Sequence, residues 1–189
     1  MFDYFEKEKA DFLKKRDKSK KGQIDKDIKD IIEEINSKKN YYTTSSCSGR
    51  IVLLEKLSNK KNESKWIFTK HNKVSFKEIF SILNKNKIKN EVWFKQEPLI
   101  LHIRCRNLNS AKKLLKASRK IFRRVGIISL SEKKIVIEII GSERIDAIVA
   151  DKNFVADKKY IKELVKYADK NFVENEKTSK LFLILIRKL

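Results

Sequence analysis

Leu99-Ile100-Leu101-His102-Ile103-Arg104-Cys105-Arg106, with the stretch from Asn109 to Phe122 that follows it, decides the fold class. In the first stretch Leu99, Leu101, Ile103 and Cys105 alternate with Ile100, His102, Arg104 and Arg106. A period of two marks a strand with one buried face. In the second, Ala111, Leu114, Leu115, Ser118, Ile121 and Phe122 recur at helical spacing, leaving Lys112, Lys116, Arg119, Lys120 and Arg123 outside. Val92–Lys95 reads as a strand before this pair, and Ile127–Leu130 and Ile135–Ile140 as strands after it.

The same grammar extends upstream. Arg50-Ile51-Val52-Leu53-Leu54-Glu55 reads as a buried strand, with Trp66-Ile67-Phe68 as its partner. Ser75-Phe76-Lys77-Glu78 is a capping box, in which hydroxyl and carboxylate each satisfy an orphan N–H of a new helix, and Val74 and Ile79 stand at staple positions. Ile24, Ile28, Ile31, Ile32 and Ile35 form one helical stripe that ends near Asn36, and Asp25 can cap it. Residues 2–16 read as a polar helix, and the tail from Asp157 reads as mostly helical. This order predicts an α+β fold. Its expected form is a mixed sheet of about six strands, built from repeated strand-pair/helix units and flanked by N- and C-terminal helices, although no sequence repeat supports a duplication. A chain of 189 residues suits a single domain, 1–189, or two subdomains of about 1–90 and 91–189. Its four glycines, at 22, 49, 126 and 141, allow neither G-x-G-x-x-G nor a Walker loop, so the fold is not Rossmann.

Lys and Arg outnumber Asp and Glu by 46 to 25, a net charge of +21. A genome rich in lysine raises glutamate as well, so an excess of this size points to a polyanionic partner, nucleic acid. Between Pro98 and Ser131 there is no acidic residue at all. Arg104, Arg106, Lys116, Arg119 and Arg123 fall in that segment and are candidate phosphate contacts, as are Lys20 and Lys21 in the earlier basic run. The N-terminus has no apolar leader, and the longest apolar run, Leu181 to Ile186, is too short to span a bilayer. The expectation is a soluble, cytoplasmic protein with no membrane partner. Two cysteines, Cys47 and Cys105, match no zinc spacing, so no metal is expected and both are read as reduced thiols.

Thr43-Thr44-Ser45-Ser46-Cys47-Ser48-Gly49-Arg50 packs five hydroxyls, a thiol, a glycine and an arginine into eight residues. Hydroxyls and backbone N–H groups can cradle an anion, and Arg50 can grip a carboxylate or phosphate through both arms. A polar turn between helix and strand explains the composition equally well. Cys47 could be a nucleophile beside a base, or a small buried thiol. His102 could be a packed strand residue, and His71 the anchor of the turn before the capped helix.

The string from Tyr42 to Ile51 resembles the signature of the tRNA wybutosine-synthesizing protein 3 family. In order along the chain, further elements resemble that family. They are Asp17-Lys18-Ser19, Lys21-Gly22-Gln23-Ile24-Asp25, Ile35-Asn36, Trp66 with His71, Glu97-Pro98-Leu99-Ile100-Leu101-His102-Ile103 with Cys105, Phe122-Arg123 with Gly126-Ile127, and Ser142-Glu143-Arg144. Ile121 and Val125 depart from the family's usual Gly and Ser. The resemblance implies a non-Rossmann methyltransferase that uses S-adenosyl-L-methionine. It would act on N4 of a 7-aminocarboxypropyl-demethylwyosine-type base at position 37 of phenylalanine tRNA, in the anticodon loop. On motif position and residue type, Ser45, Ser46, Ser48, Gly49 and Arg50 would bind the cofactor. Asp25 and His102, with His71 behind them, would be the proton acceptors, and Trp66, Trp93 or Tyr42 could stack on the base. The alternative is a non-catalytic RNA-binding protein that uses the basic helix face.

Overall fold

The computed structural model describes residues 3–14, 25–57, 63–85 and 88–189. Its elements, in order, are α1 (Tyr4–Lys14), a 3-10 turn (Lys26–Ile28), α2 (Lys29–Ser37), β1 (Tyr41–Cys47), β2 (Arg50–Lys56) and β3 (Ser64–Lys70). There follow α3 (Phe76–Lys85), β4 (Val92–Glu97), β5 (Ile100–Cys105), α4 (Leu108–Ser118), β6 (Arg124–Leu130), β7 (Ile135–Ile140), β8 (Ile145–Ala150) and α5 (Lys158–Arg187). The strands form two four-stranded sheets, β1-β5-β7-β6 and β3-β2-β4-β8, and every pairing is antiparallel.

The α+β class and the absence of a Rossmann unit stand. One mixed sheet of about six strands is corrected to two antiparallel sheets of four each. Two strands escape a reading of local pattern. β1 occupies the segment whose serines and threonines suggest a loop, because six of its residues find partners on β5. β8 is the other. Adjacent strands also part company: β4 pairs with β2 and β8, whereas β5 pairs with β1 and β7. Pro98 stands at this break, where its missing N–H costs no ladder bond.

The chain divides into two compact units, each discontinuous in sequence. The first takes its residues from 1–48, 99–142 and 176–189, and the second is 49–98 with 143–175. A sequential division near residue 90 falls inside the second. In the first unit Leu101, Ile103 and Cys105 of β5 and Ile137 and Ile139 of β7 have no exposed surface, and they share a core with Ile31, Ile32 and Ile35 of α2. Phe122 meets Phe182 edge-to-face at 5.1 Å in the same core. In the second unit Leu53, Phe94 and Val149 pack with Ile79 and Leu83 of α3 and Ile161 and Ala168 of α5.

The capping box of α3 forms as the sequence predicts. The Ser75 N–H donates to Glu78 Oε2 at 2.7 Å, and the Glu78 N–H donates to Ser75 Oγ at 3.2 Å. Val74 and Ile79, the staple pair, are buried. The Lys70 ammonium, donating at 2.8 Å, and then the Ser75 N–H hold the Glu78 carboxyl down at about 2. A lowered folded-state value means that the ionised box adds stability above the unfolded value and loses it as pH falls through the folded one. Thermal melts of Glu78→Gln should therefore lie below those of the native chain at neutral pH. The gap should close as pH drops from 4.5 toward about 2.

Candidate active site and nucleic-acid surface

In the first unit the signature strand is pinned at both ends by side-chain acceptors. Asn36, at the end of α2, accepts from the Thr43 N–H at 2.8 Å and from Thr43 Oγ1 at 3.1 Å. Asp25 Oδ2 accepts from the Ser48 N–H at 3.0 Å and from Ser48 Oγ at 3.1 Å, and Ser48 is buried. The role of Asp25 as a helix cap is corrected accordingly. Its backbone carbonyl accepts from the Ile28 N–H, while its carboxylate serves the signature. Between these pins Ser45 is exposed and Ser46 half-buried.

Register then builds a polar row across the first sheet. Ser45 on β1 faces His102 on β5, His102 faces Glu138 on β7, and Glu138 faces Gly126 on β6. His102 Nε2 lies 2.9 Å from Glu138 Oε2, and both side chains are about 30% exposed, at 28% and 30%. The His102 carbonyl also accepts from Thr44 Oγ1 at 3.3 Å. A Cβ at Gly126 would have nothing within 4 Å, so the far end of the row is open. Glu138 is a candidate that the sequence reading misses. Its signal is a single acid in the apolar run Ile135-Val136-Ile137-Glu138-Ile139-Ile140, opposite the one histidine of β5.

Arg104 and Arg106 share the outward face of β5 with His102, but their predicted phosphate role gives way to an internal one. Arg104 is 4% exposed. It donates to Glu8 of α1 at 3.1 Å and to the carbonyls of Cys105 and Lys133. Arg106 donates to Asp3 at 2.6 Å, to Glu6, and to the Lys39 carbonyl at 3.1 Å. The Phe5 ring lies against both guanidinium groups, at 5.4 and 4.6 Å. Phe5 and Phe12 also cover Tyr42, whose ring is 2% exposed and cannot offer a stacking wall. Lys116, Arg119 and Arg123, on α4 and the turn after it, are exposed as expected. Helix α4 ends at Ser118 rather than near Phe122, and its true cap is Asn107, whose side chain accepts from the Ser110 N–H at 2.9 Å. Lys20 and Lys21 lie outside the described residues. Burial pushes the Cys105 thiol up to about 12, so it is inert at neutral pH.

In the second unit Gly49 has φ +109°, and a Cβ there would come within 2.8 Å of the Glu97 carbonyl oxygen. The glycine is thus required by the close approach of β4. Its neighbour Arg50 donates from Nε to Glu97 Oε2 at 2.6 Å and lies 4.4 Å from the Trp66 ring centroid. Its two terminal nitrogens carry no hydrogen bond to the described residues. Trp66 is 52% exposed. His71 occupies a half-buried turn between β3 and α3.

Solved proteins share this fold. PH1069 protein from Pyrococcus horikoshii is 31% identical with a TM-score of 0.87, over 96% of this chain and 95% of that one. A hypothetical protein from Aeropyrum pernix is 26% identical with a TM-score of 0.76, over 87% of this chain and 98% of that one. Among sequence relatives, the Methanocaldococcus jannaschii protein named tRNA(Phe) 7-((3-amino-3-carboxypropyl)-4-demethylwyosine(37)-N(4))-methyltransferase is 36% identical over 154 residues, 79% of each chain. A tRNA wybutosine-synthesizing protein 3 homolog from Danio rerio is 33% identical over 186 residues, 95% of this chain and 73% of that one. Fold and relatives together define a class, the tRNA-modifying methyltransferases built without a Rossmann unit. The chain belongs to the Methyltransferase TYW3 family, which it matches over residues 7–188. Among the described residues no helix is long and apolar enough to cross a membrane.

Gly49→Ala tests the geometry of the signature. Positive φ and a 2.8 Å contact with backbone oppose any side chain at this position. The substitution should cost about 1–3 kcal/mol of stability, read by denaturant unfolding.

Proposed function

We propose that the protein transfers a methyl group from S-adenosylmethionine to N4 of a 7-aminocarboxypropyl-demethylwyosine-type base at position 37 of phenylalanine tRNA. The observation that carries this reading is the signature strand, fixed by Asn36 and Asp25 beside a paired His102 and Glu138. When bound, S-adenosylmethionine supplies an electrophilic methyl on a sulfonium sulfur. The residues present suit such a ligand. The terminal nitrogens of Arg50 match a carboxylate, and Ser45 and Ser46 offer hydroxyls for its polar groups, while Ser48 is buried and spent on Asp25. Gly49 serves by letting the chain turn at this point.

Methyl transfer forms the N4–carbon bond as the sulfur–carbon bond breaks, and the N4 proton must leave. His102 is the acceptor we favour. With Nε2–H donating to the Glu138 carboxylate, the Nδ1 lone pair is left to accept a proton, and the carboxylate stabilises the imidazolium that forms. Asp25 acts by positioning Ser48. His71 belongs to the second unit, and no step of the transfer is assigned to it. The cationic surface of Lys116, Arg119 and Arg123 is read as the phosphate contact for the tRNA. The cytoplasm, where tRNA is modified and thiols stay reduced, is the compartment consistent with this chemistry.

Mass spectrometry of position-37 nucleosides, after incubation of demethylated tRNA with the protein and S-adenosylmethionine, should show the gain of one methyl. Absence of that product overturns the assignment. His102→Ala should lower kcat by roughly 10²–10⁴ while leaving the calorimetric affinity for S-adenosylmethionine unchanged. Ser46→Ala combined with Arg50→Ala should abolish that affinity. Reversing the charges of Lys116, Arg119 and Arg123 should weaken RNA binding and flatten its salt dependence, by about 0.7–0.9 in log–log slope for each phosphate no longer neutralised.

A further inference from the structure

We propose that the outer face of the second sheet is a stacking platform for unpaired nucleobases of an RNA loop, a proposal that rests on the reading of RNA as substrate. Register places a continuous row across all four strands. Leu54 on β2 stands opposite Trp66 on β3 and Trp93 on β4, and Trp93 stands opposite Ile148 on β8. Their chain neighbours Leu53 and Phe94 fill the core, so the row faces the other way. Trp66 is 52% and Ile148 39% exposed, while Leu54 and Trp93 are half-buried. A contiguous, partly exposed apolar row with two indoles marks an interaction surface.

Charge and shape select the occupant. Lys56 Nζ lies 4.1 Å and Lys95 Nζ 5.7 Å from the Trp93 ring centroid, and Arg50 covers one face of Trp66 at 4.4 Å. Aromatic faces interleaved with cations are what proteins offer to single strands, with rings for bases and ammonium groups for phosphates. Base stacking on an indole outweighs an exposed cation–π contact, so a base can displace a lysine from the ring and the lysine can then meet the phosphate. Lys56 and Lys95 also pair with Glu91 and Asp146. The platform is therefore partly neutralised and grips bases more than phosphates. A duplex cannot use it, because both faces of each of its bases are already stacked. A second copy of the chain is disfavoured by the net charge of +21 that each copy carries.

The chain has two tryptophans, both in this row, so tryptophan emission, excited where tyrosine does not absorb, reports on the platform alone. The full-length protein is titrated with a labelled single-stranded oligonucleotide, and with a fully paired RNA of equal phosphate number. Label anisotropy and tryptophan emission are read together. The proposal expects the single strand to quench the tryptophans on binding and the duplex to bind without quenching. Trp66→Leu, with its melting temperature checked against the native chain, should weaken single-strand binding about ten-fold and leave duplex binding unchanged. Single-strand binding without quenching, or equal quenching by both RNAs, overturns the platform while leaving RNA as substrate standing. No anisotropy change with either RNA overturns both readings. Quenching that follows protein concentration in the absence of RNA assigns the face to a second copy and overturns the proposal.

Discussion

The alternation of side chains along β5 is the constraint from which the first unit is built. Leu101, Ile103 and Cys105 must be buried, so His102, Arg104 and Arg106 must emerge on the other face of a strand flanked on both sides. Three titratable side chains on a central strand are a liability, and the structure resolves it in two ways. Helix α1 brings Asp3, Glu6 and Glu8 to the two arginines and lays Phe5 against them. His102 stays beyond that cover, half-exposed, with a single carboxylate beside it. One periodicity thus creates both the covered arginines and the half-exposed imidazole.

The signature shows how a run of small hydroxyl residues can be made rigid. Serine and threonine side chains compete with the backbone for hydrogen bonds and favour turns. Here the competition is settled by acceptors brought from elsewhere. Asn36 takes both donors of Thr43, and Asp25 takes both donors of Ser48. Ser45 and Ser46, lying between, are held in a defined direction without being consumed. This explains, in bonds, why Asp25 and Asn36 belong to the same pattern as the hydroxyl string although they precede it in the chain.

What could be read from the sequence was whatever depends on neighbours in the chain. The α3 capping box, the stripe of Ile28, Ile31, Ile32 and Ile35 and the inward set of β5 are all local patterns, and all are present; Ile24 lies outside the described residues. What could not be read depends on distant partners. β1 resembles a loop until β5, more than fifty residues on, supplies its ladder. The basic face of β5 reads as open because the segment from Pro98 to Ser131 holds no acid, yet the neutralising carboxylates come from α1. Of the candidate site, the serines, Arg50, Asp25 and His102 are visible as motif residues. The links of Asp25 to Ser48 and of His102 to Glu138, which give them work, are not.

The tight contact at Gly49 has a consequence for how the chain folds. Within the second unit, Arg50 lies opposite Glu97 and the Glu97 carbonyl leaves no room for a Cβ at Gly49, so the two ends of the 49–98 excursion meet. Closing a loop of that length costs conformational entropy before any long-range pair forms. Once β2 has zipped to β4, the excursion behaves as a turn of a few residues, and Cys47 and Ile100 are delivered as if by a hairpin. The second unit is thus a two-part insertion, 49–98 with 143–175, and β2–β4 pairing closes the first part.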